Sequence, residues 1–139
     1  MDESILNSIK KLLGLSKDYD AFDTDIIIHI NTVFMVLNQL GVGPEDGFRI
    51  KDKEAKWSDF LESVTDLESV KTYIYLKVRL VFDPPLNASV LESMKQTIAE
   101  LEWRLNVQAE SAESEVWYVA ISENRWALSS WCPRYEMGC

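Results

Sequence analysis

The stretch YIYLKVRLVFDPPLNASVLESMKQ, which begins at Tyr73, contains the strongest local constraint on the fold. Apolar residues recur up to Phe82, the chain is interrupted by Asp83, Pro84 and Pro85, and a helical pattern then follows. Pro84 excludes Asp83 from the α region, so a helix that reaches this point must end at about Phe82. The chain therefore forms either a hydrophobic strand that leads into a helix or a helical hairpin whose corner is fixed by proline.

The residues before the corner fit both interpretations, and a capping signal favours the helix. Apolar side chains alternate in the order Ile74, Leu76, Val78, Leu80 and Phe82, which is also the period of a strand. The sequence TDLE at residues 65–68 has the form of a capping box, in which a hydroxyl and a carboxylate satisfy the first helical amides. A capping box followed by about four turns of apolar stripe predicts a helix over residues 66–82.

A second capping box, SVLE at residues 89–92, follows the corner. It introduces a two-heptad seam formed by Leu91, Met94, Ile98, Leu101 and Leu105. Such a seam packs either on the neighbouring helix of the same chain or on a partner helix, and the first arrangement is the more common. The sequence thus predicts two long helices, residues 66–82 and 89–107, folded back on each other.

The N-terminal half predicts further helices around this hairpin. Asp2 or Ser4 can cap a short amphipathic helix, and Gly14 is placed to end it. Residues 23–40 begin with acids and carry apolar residues at steps of three and four over most of the helix circumference, so we predict a central, buried helix. Residues 41–57 form a long irregular connection, and the WSDFL segment predicts a helical turn.

The chain changes character after residue 110. The acidic sequence ESAESE predicts a linker, VWYVAI is β-prone, and the remaining residues are rich in tryptophan. We therefore predict a mainly α fold: a small helical bundle with a long hairpin in residues 1–110, plus an extended C-terminal tail, residues 111–139, that contains a short β-strand. This tail either adds as a strand to the sheet of a partner or folds back on its own helices.

Composition excludes several classes of function. Fourteen basic and 23 acidic residues give a net charge of −9, which disfavours tight binding to nucleic acid. Cys132 and Cys139 lack the further ligands of a zinc site and indicate a reduced, cytosolic origin. His29, the single histidine, lies in the most apolar helix, and the carboxylates have no metal-loop spacing. We therefore expect no catalytic, cofactor or metal site, no export signal and no membrane span.

The segments HINTVFMVLNQLGVGPEDGF, KWSDFL, VKTYIYLKVRLVFDPP and LESMKQTIAELEWRLN, in this order, resemble the head-tail connector proteins of tailed bacteriophages and prophages, also called head-completion or adaptor proteins. The resemblance covers about residues 1–110. It implies a structural protein that forms a homo-oligomeric ring, expected to be twelvefold, between the portal and the tail, through which DNA passes without sequence-specific binding. Expected partners are the portal protein and a further neck or tail-completion protein. The expected location is the neck of the virion, after assembly in the host cytoplasm.

The resemblance does not extend to residues 111–139, but in a connector the natural partner of this aromatic tail is the portal. The expected portal-binding residues lie in the tail: Val116, Trp117, Tyr118, Val119, Ile121, Trp126 and Trp131. Asp83, Pro84 and Pro85 are the expected structural corner. The main alternative is a cytosolic helical adaptor that binds a protein partner through the same Trp-rich tail. A second alternative is an enzyme whose site is assembled from residues distant in the sequence.

Overall fold

The computed structural model of the chain describes residues 3–60 and 67–123, with side chains described except in residues 113–123. The described residues form the helices α1 (Ile5–Leu12), α2 (Asp23–Gln39), α3 (Trp57–Phe60), α4 (Leu67–Phe82) and α5 (Ala88–Glu123). Between these helices the only β-type pairing in the described part is an isolated antiparallel bridge between Ser4 and Lys56. The prediction of a mainly α fold is therefore confirmed.

The hairpin predicted from the double proline is formed by α4 and α5. The backbone of α4 remains helical to Phe82, which excludes the strand interpretation of residues 74–82. The amides of Ser89 and Val90 donate to the side-chain Oδ1 of Asn87, at 2.8 Å and 3.3 Å. Asn87, and not Ser89, is therefore the N-cap of α5. The second predicted capping box was wrong in its position, and Thr65 of the first lies outside the described residues.

The rigidity of this corner should contribute to stability. Replacing both Pro84 and Pro85 by alanine is expected to lower the free energy of unfolding by about 1 kcal/mol in total, because the unfolded chain gains backbone freedom. A urea titration followed by circular dichroism measures this loss. An unchanged denaturation midpoint would show that the corner is not a constraint on the unfolded chain.

The centre of the domain is α4, which packs against α1, α2 and α5. Its side chains Tyr73, Ile74 and Val78 have no exposed surface. By contrast α2 buries only one face, while Ile28 and Met35 on its other side are 57% and 55% exposed. The prediction that α2 is the central helix was therefore wrong: its apolar circumference is wider than the surface that α4 and α1 cover.

A buried lysine joins the first two helices. Lys10 Nζ lies 2.7 Å from Asp23 Oδ1 in the first turn of α2, and the Lys10 side chain is 1% exposed. The same ammonium group donates to the carbonyl oxygens of Tyr19 at 2.6 Å and Lys17 at 3.3 Å. The ammonium group of Lys10 therefore holds the turn between α1 and α2. Gly14 begins this turn at φ +83°, which agrees with its predicted role at the end of α1.

The start of α1 is also tied to the end of the long connection. Ser4 caps α1 by accepting from the amide of Asn7, and its hydroxyl donates to the carbonyl of Lys53 at 2.6 Å. The indole Nε1 of Trp57 donates to the buried hydroxyl of Ser8 at 3.0 Å. These contacts fix α1 against residues that lie 49 positions later in the sequence.

The last helix is longer than predicted. The 36 residues of α5 continue to Glu123 and include both the predicted linker and the segment 116–121, for which we predicted a β-strand. The side chains of this segment are not described, and the strand that we predicted there stays a prediction. The ESAESE sequence contains no Gly or Pro that would end a helix, which allows α5 to continue beyond residue 110.

Candidate assembly surfaces

The predicted site residues fall in two places. Asp83, Pro84 and Pro85 form the corner between α4 and α5. The other predicted residues lie at the end of the chain: Val116, Trp117, Tyr118, Val119 and Ile121 are on the α5 backbone, and Trp126 and Trp131 lie outside the described residues. The structure therefore does not bring the corner and the tail residues together into one described site.

The described residues give no indication of a metal site or a membrane span. No cluster of three or more His, Cys, Asp or Glu side chains in residues 3–60 and 67–123 is arranged to hold a metal ion. Among the helices described there, none has both the length and the apolar character needed to cross a bilayer. The surfaces that stand out in this part of the chain are instead apolar side chains exposed to solvent.

The first exposed surface is the outer face of α2, which we call the α2 groove. Its floor is formed by Ile28, Thr32 and Met35, and its opposite wall by residues 46–49 of the long connection. Phe48 and Arg49 belong to this wall. The α2 groove thus has an apolar floor, and its wall carries the carboxylate of Asp46 and the guanidinium of Arg49.

Two asparagines of α2 hold the wall of the α2 groove in place. Asn31 Nδ2 donates to the carbonyl of Ile50 at 2.9 Å, and the amide of Ile50 donates back to Asn31 Oδ1 at 2.8 Å. Two turns later, Asn38 Nδ2 donates to the carbonyl oxygens of Pro44 at 3.0 Å and Glu45 at 3.3 Å. The side chains of α2 therefore replace the backbone partners that an irregular segment lacks.

An aromatic cluster supports the same wall from behind. The ring centroid of Phe48 lies 5.0 Å from that of Phe34 on α2 and 5.3 Å from that of Phe60 on α3. The Phe34 and Phe60 rings are 4.7 Å apart. Gly43 lies directly against the Phe60 ring, at φ +95°. The groove is therefore a preformed feature of the core packing, with hydrogen bonds at its rim.

The second exposed surface lies on α5, and we call it the Trp103 face. Trp103 is 64% exposed and Val107, one turn later, is 38% exposed. The seam predicted for this helix packs inward, because Met94, Ile98 and Leu105 are buried. Trp103 lies about 180° around the helix from this seam, at 100° per residue. The largest apolar side chain of the described part of α5 thus points away from its own domain.

A third exposed apolar group lies at the corner. Leu86 directly follows the double proline and is fully exposed, while Val81 and Val90 on either side of the corner are 63% and 46% exposed. These side chains form an apolar tip at one end of the hairpin. Isolated exposed apolar residues are common on soluble proteins, so only their grouping at a rigid tip is informative.

One polar contact joins the two helices of the hairpin. The hydroxyl of Tyr73 donates to Glu102 Oε1 at 2.7 Å, and Lys77 Nζ lies 3.6 Å from the same oxygen. Burial, followed by the hydrogen bond to Glu102 and its negative charge, raises the pKa of Tyr73 well above its ordinary value of 10.0. The protonated phenol is therefore the form that the folded hairpin requires.

This contact predicts a specific dependence of stability on pH. Because the pKa of Tyr73 is higher in the folded chain, the unfolded chain loses the phenolic proton first, and stability falls as the pH rises above about 10. The Tyr73→Phe variant should be less stable by about 1 kcal/mol at neutral pH. This gap should shrink by about 1 kcal/mol at about pH 11, as measured by urea titrations at both values. A gap that stays constant with pH would contradict the assignment.

The sequence contains signals for both the α2 groove and the Trp103 face. Trp103 lies outside the heptad seam, and its position opposite that seam already indicates exposure. Ile28 and Met35 were included in an apolar helix that is wider than the surface available to cover it. Only the position of the connection over α2, which depends on Asn31 and Asn38, could not be read from a sequence pattern.

The comparison with known proteins identifies the helical body. A family model described as a phage connector protein matches residues 5–112, which is 108 of the 139 residues. The matched region contains α1 to α4 and the described side chains of α5, including both the α2 groove and the Trp103 face. No curated protein matches the chain, and no solved structure matches it.

Proposed function

Because the chain belongs to the phage connector protein family, we propose that it forms the ring between the portal and the tail of a tailed phage. In this position it would complete the head, provide the docking surface for the next neck or tail-completion protein, and allow DNA to pass. The observation that carries the proposal is the family match over almost the whole helical body. The proposed ring is homo-oligomeric, with twelve copies as the expected number, and lies in the neck of the virion.

The charge of the chain supports this function. Each copy carries a formal charge of −9, so a ring of copies presents a strongly negative surface to the DNA. A negative channel repels phosphates and allows the duplex to slide instead of holding it. The same charge makes copies repel each other in free solution, so we expect a monomer at ordinary concentrations and assembly on the portal.

Electron microscopy of the purified protein with purified portal tests the proposal. A ring stacked on one end of the portal, together with light scattering that shows growth only when portal is added, is the expected result. A chain that remains a monomer and leaves the portal undecorated would contradict the connector ring. A ring that forms without portal would contradict only the templated order of assembly.

The tail is proposed as the anchor on the portal. Three of the five tryptophans lie in residues 111–139, and aromatic side chains dominate the binding energy of many interfaces. The proposed anchors remain those predicted from the sequence: Val116, Trp117, Tyr118, Val119, Ile121, Trp126 and Trp131. Strand addition of residues 116–121 to a sheet of the portal remains the binding mode that we predict from the sequence.

Removing residues 124–139 should therefore weaken docking on the portal by at least about tenfold, because Trp126 and Trp131 are lost. The family-matched body and all of α5 are retained in this variant. Removing only residues 136–139 is the matched control and should change the affinity little. Affinity is measured by co-sedimentation with portal, and helix content by circular dichroism. Full affinity of the shorter chain would show that the anchor lies elsewhere.

A further inference from the structure

The α2 groove and the Trp103 face point to the contact between neighbouring copies. On the basis of the proposed ring, we propose that Trp103 of one copy binds in the α2 groove of the next. The two surfaces are different in kind, one a concave apolar floor and the other a single protruding indole. A contact between two different surfaces of identical chains is head-to-tail, and such contacts generate rings when the rotation closes.

Each of these surfaces faces away from the packed interior of the domain. The middle helix α4 packs against both α2 and α5. Trp103 points away from the side of α5 that packs inward, as described above. Ile28 and Met35 likewise lie about 180° around α2 from its buried stripe of Ile30 and Leu37, at 100° per residue. A protruding side chain and a separate groove on the same chain are the two surfaces that a head-to-tail contact requires.

The groove offers chemistry that suits an indole. Arg49 lies in its wall and is exposed, and its side chain has no ion pair or hydrogen bond within the described part of the chain. A guanidinium group over the face of tryptophan gains a cation–π interaction, which is strongest when the pair is shielded from water. Ile28 and Met35 supply the apolar floor against which the ring would be buried, and a thioether also packs well against an aromatic ring.

Local charge favours a second copy over an uncharged partner. The part of α5 around Trp103, residues 88–112, contains four acidic and two basic side chains. In the groove wall, Arg49 has no ion pair within the described residues, and Asp46 adds one carboxylate. The acidic flank of α5 in one copy can therefore supply a counter-charge to Arg49 of the next, which offsets part of the repulsion between chains of charge −9.

Two single variants test the contact from its two sides. Trp103→Ala removes the protruding indole, and Met35→Glu places a carboxylate on the apolar floor of the α2 groove. Each is expected to abolish ring formation on the portal in electron micrographs. Ser93→Ala on α5 and Thr24→Glu on α2 are matched controls at exposed positions outside both surfaces, and both should form rings as the unaltered chain does. Because all four positions are exposed, circular dichroism should show unchanged helix content.

A mixture of the two variants gives a readout specific to a head-to-tail contact. The Trp103→Ala chain keeps an intact groove, and the Met35→Glu chain keeps Trp103. One copy of each can therefore form a single contact, and no further copy can be added. Without portal, at about 1 mM, native mass spectrometry should show mixed dimers in the mixture and monomers for each variant alone, as expected for a contact with a Kd near 1 mM or below. The unaltered chain under the same conditions should form oligomers beyond the dimer.

The outcomes separate this contact from the connector function. If the unaltered chain forms rings on the portal but both variants do so equally well, or the mixture stays monomeric, the Trp103 contact is wrong and the connector function stands. If the unaltered chain forms no ring with portal, the proposed function fails, and the contact fails with it. Mixed dimers together with the loss of rings in each single variant would establish the contact.

Discussion

Replacing Lys10 by methionine is expected to lower the free energy of unfolding by about 3 kcal/mol, one of the largest effects of any single exchange in this chain. Methionine preserves most of the side-chain volume but removes the ammonium group that contacts Asp23. Its thioether cannot donate a hydrogen bond in place of that group. The carboxylate of Asp23 and the carbonyl oxygens of Lys17 and Tyr19 would then be left without this partner. Leaving buried polar groups unpaired costs more than the net value of the contact itself.

The next residue in α1 provides the control for this exchange. Lys11 is exposed, so Lys11→Met removes the same charge from the same helix and should change stability by no more than about 0.5 kcal/mol. In the Lys10→Met background, a further Asp23→Ala exchange should cost less than it does in the unaltered chain, because the two residues are coupled. Urea titrations of the unaltered chain, the three single variants and the double variant measure both effects. Equal losses for the Lys10 and Lys11 variants would show that the buried charge is not a structural tie.

Replacing Gly43 by alanine is expected to cost about 3 kcal/mol through two separate effects. The backbone of Gly43 lies at φ +95°, where a side chain costs about 1 kcal/mol or more. An added Cβ would also lie against Phe60 Cε2 and 2.9 Å from Cζ, so the ring would have to move. Phe60 is confined by Phe34 and Phe48, and overpacking of such a cluster typically costs about 1–3 kcal/mol.

Gly14 separates these two effects. It has a similar backbone angle, φ +83°, but an added Cβ would meet no atom within 4 Å. Gly14→Ala should therefore cost only the backbone part, about 1 kcal/mol. In a Phe60→Ala background, Gly43→Ala should fall to the same value, since the clash has been removed. If the two glycine exchanges cost the same in the unaltered chain, the close approach of Gly43 to Phe60 is not a constraint.

The helices were predictable because their signals are local. The proline corner ended α4 at Phe82 as expected, Ser4 and Gly14 bound the first helix, and the seam of α5 packs within the chain as predicted. These features depend on backbone sterics, capping and a period of about 3.6 residues, each of which is visible in a short window of sequence.

The features that failed depend on distant partners. The central position of α4 is set by which helices pack on it, and α2 has the higher apolar content. The α2 groove arises from hydrogen bonds between Asn31 and residue 50, a separation that no pattern of periodicity describes.

The contacts that fix α1 also have a kinetic consequence. Ser4 pairs with Lys53, and Ser8 with Trp57, across a separation of 49 residues in each case. Closing a loop of this length costs about 3 kcal/mol in chain entropy before either contact is made, and contacts between distant residues slow folding. On the ribosome α1 is synthesised first, but its partners at residues 53–57 emerge only after α2 and the whole connection. The docking of α1 therefore depends on residues synthesised well after it, and early folding intermediates should have α2 and α4 ordered before α1 is docked.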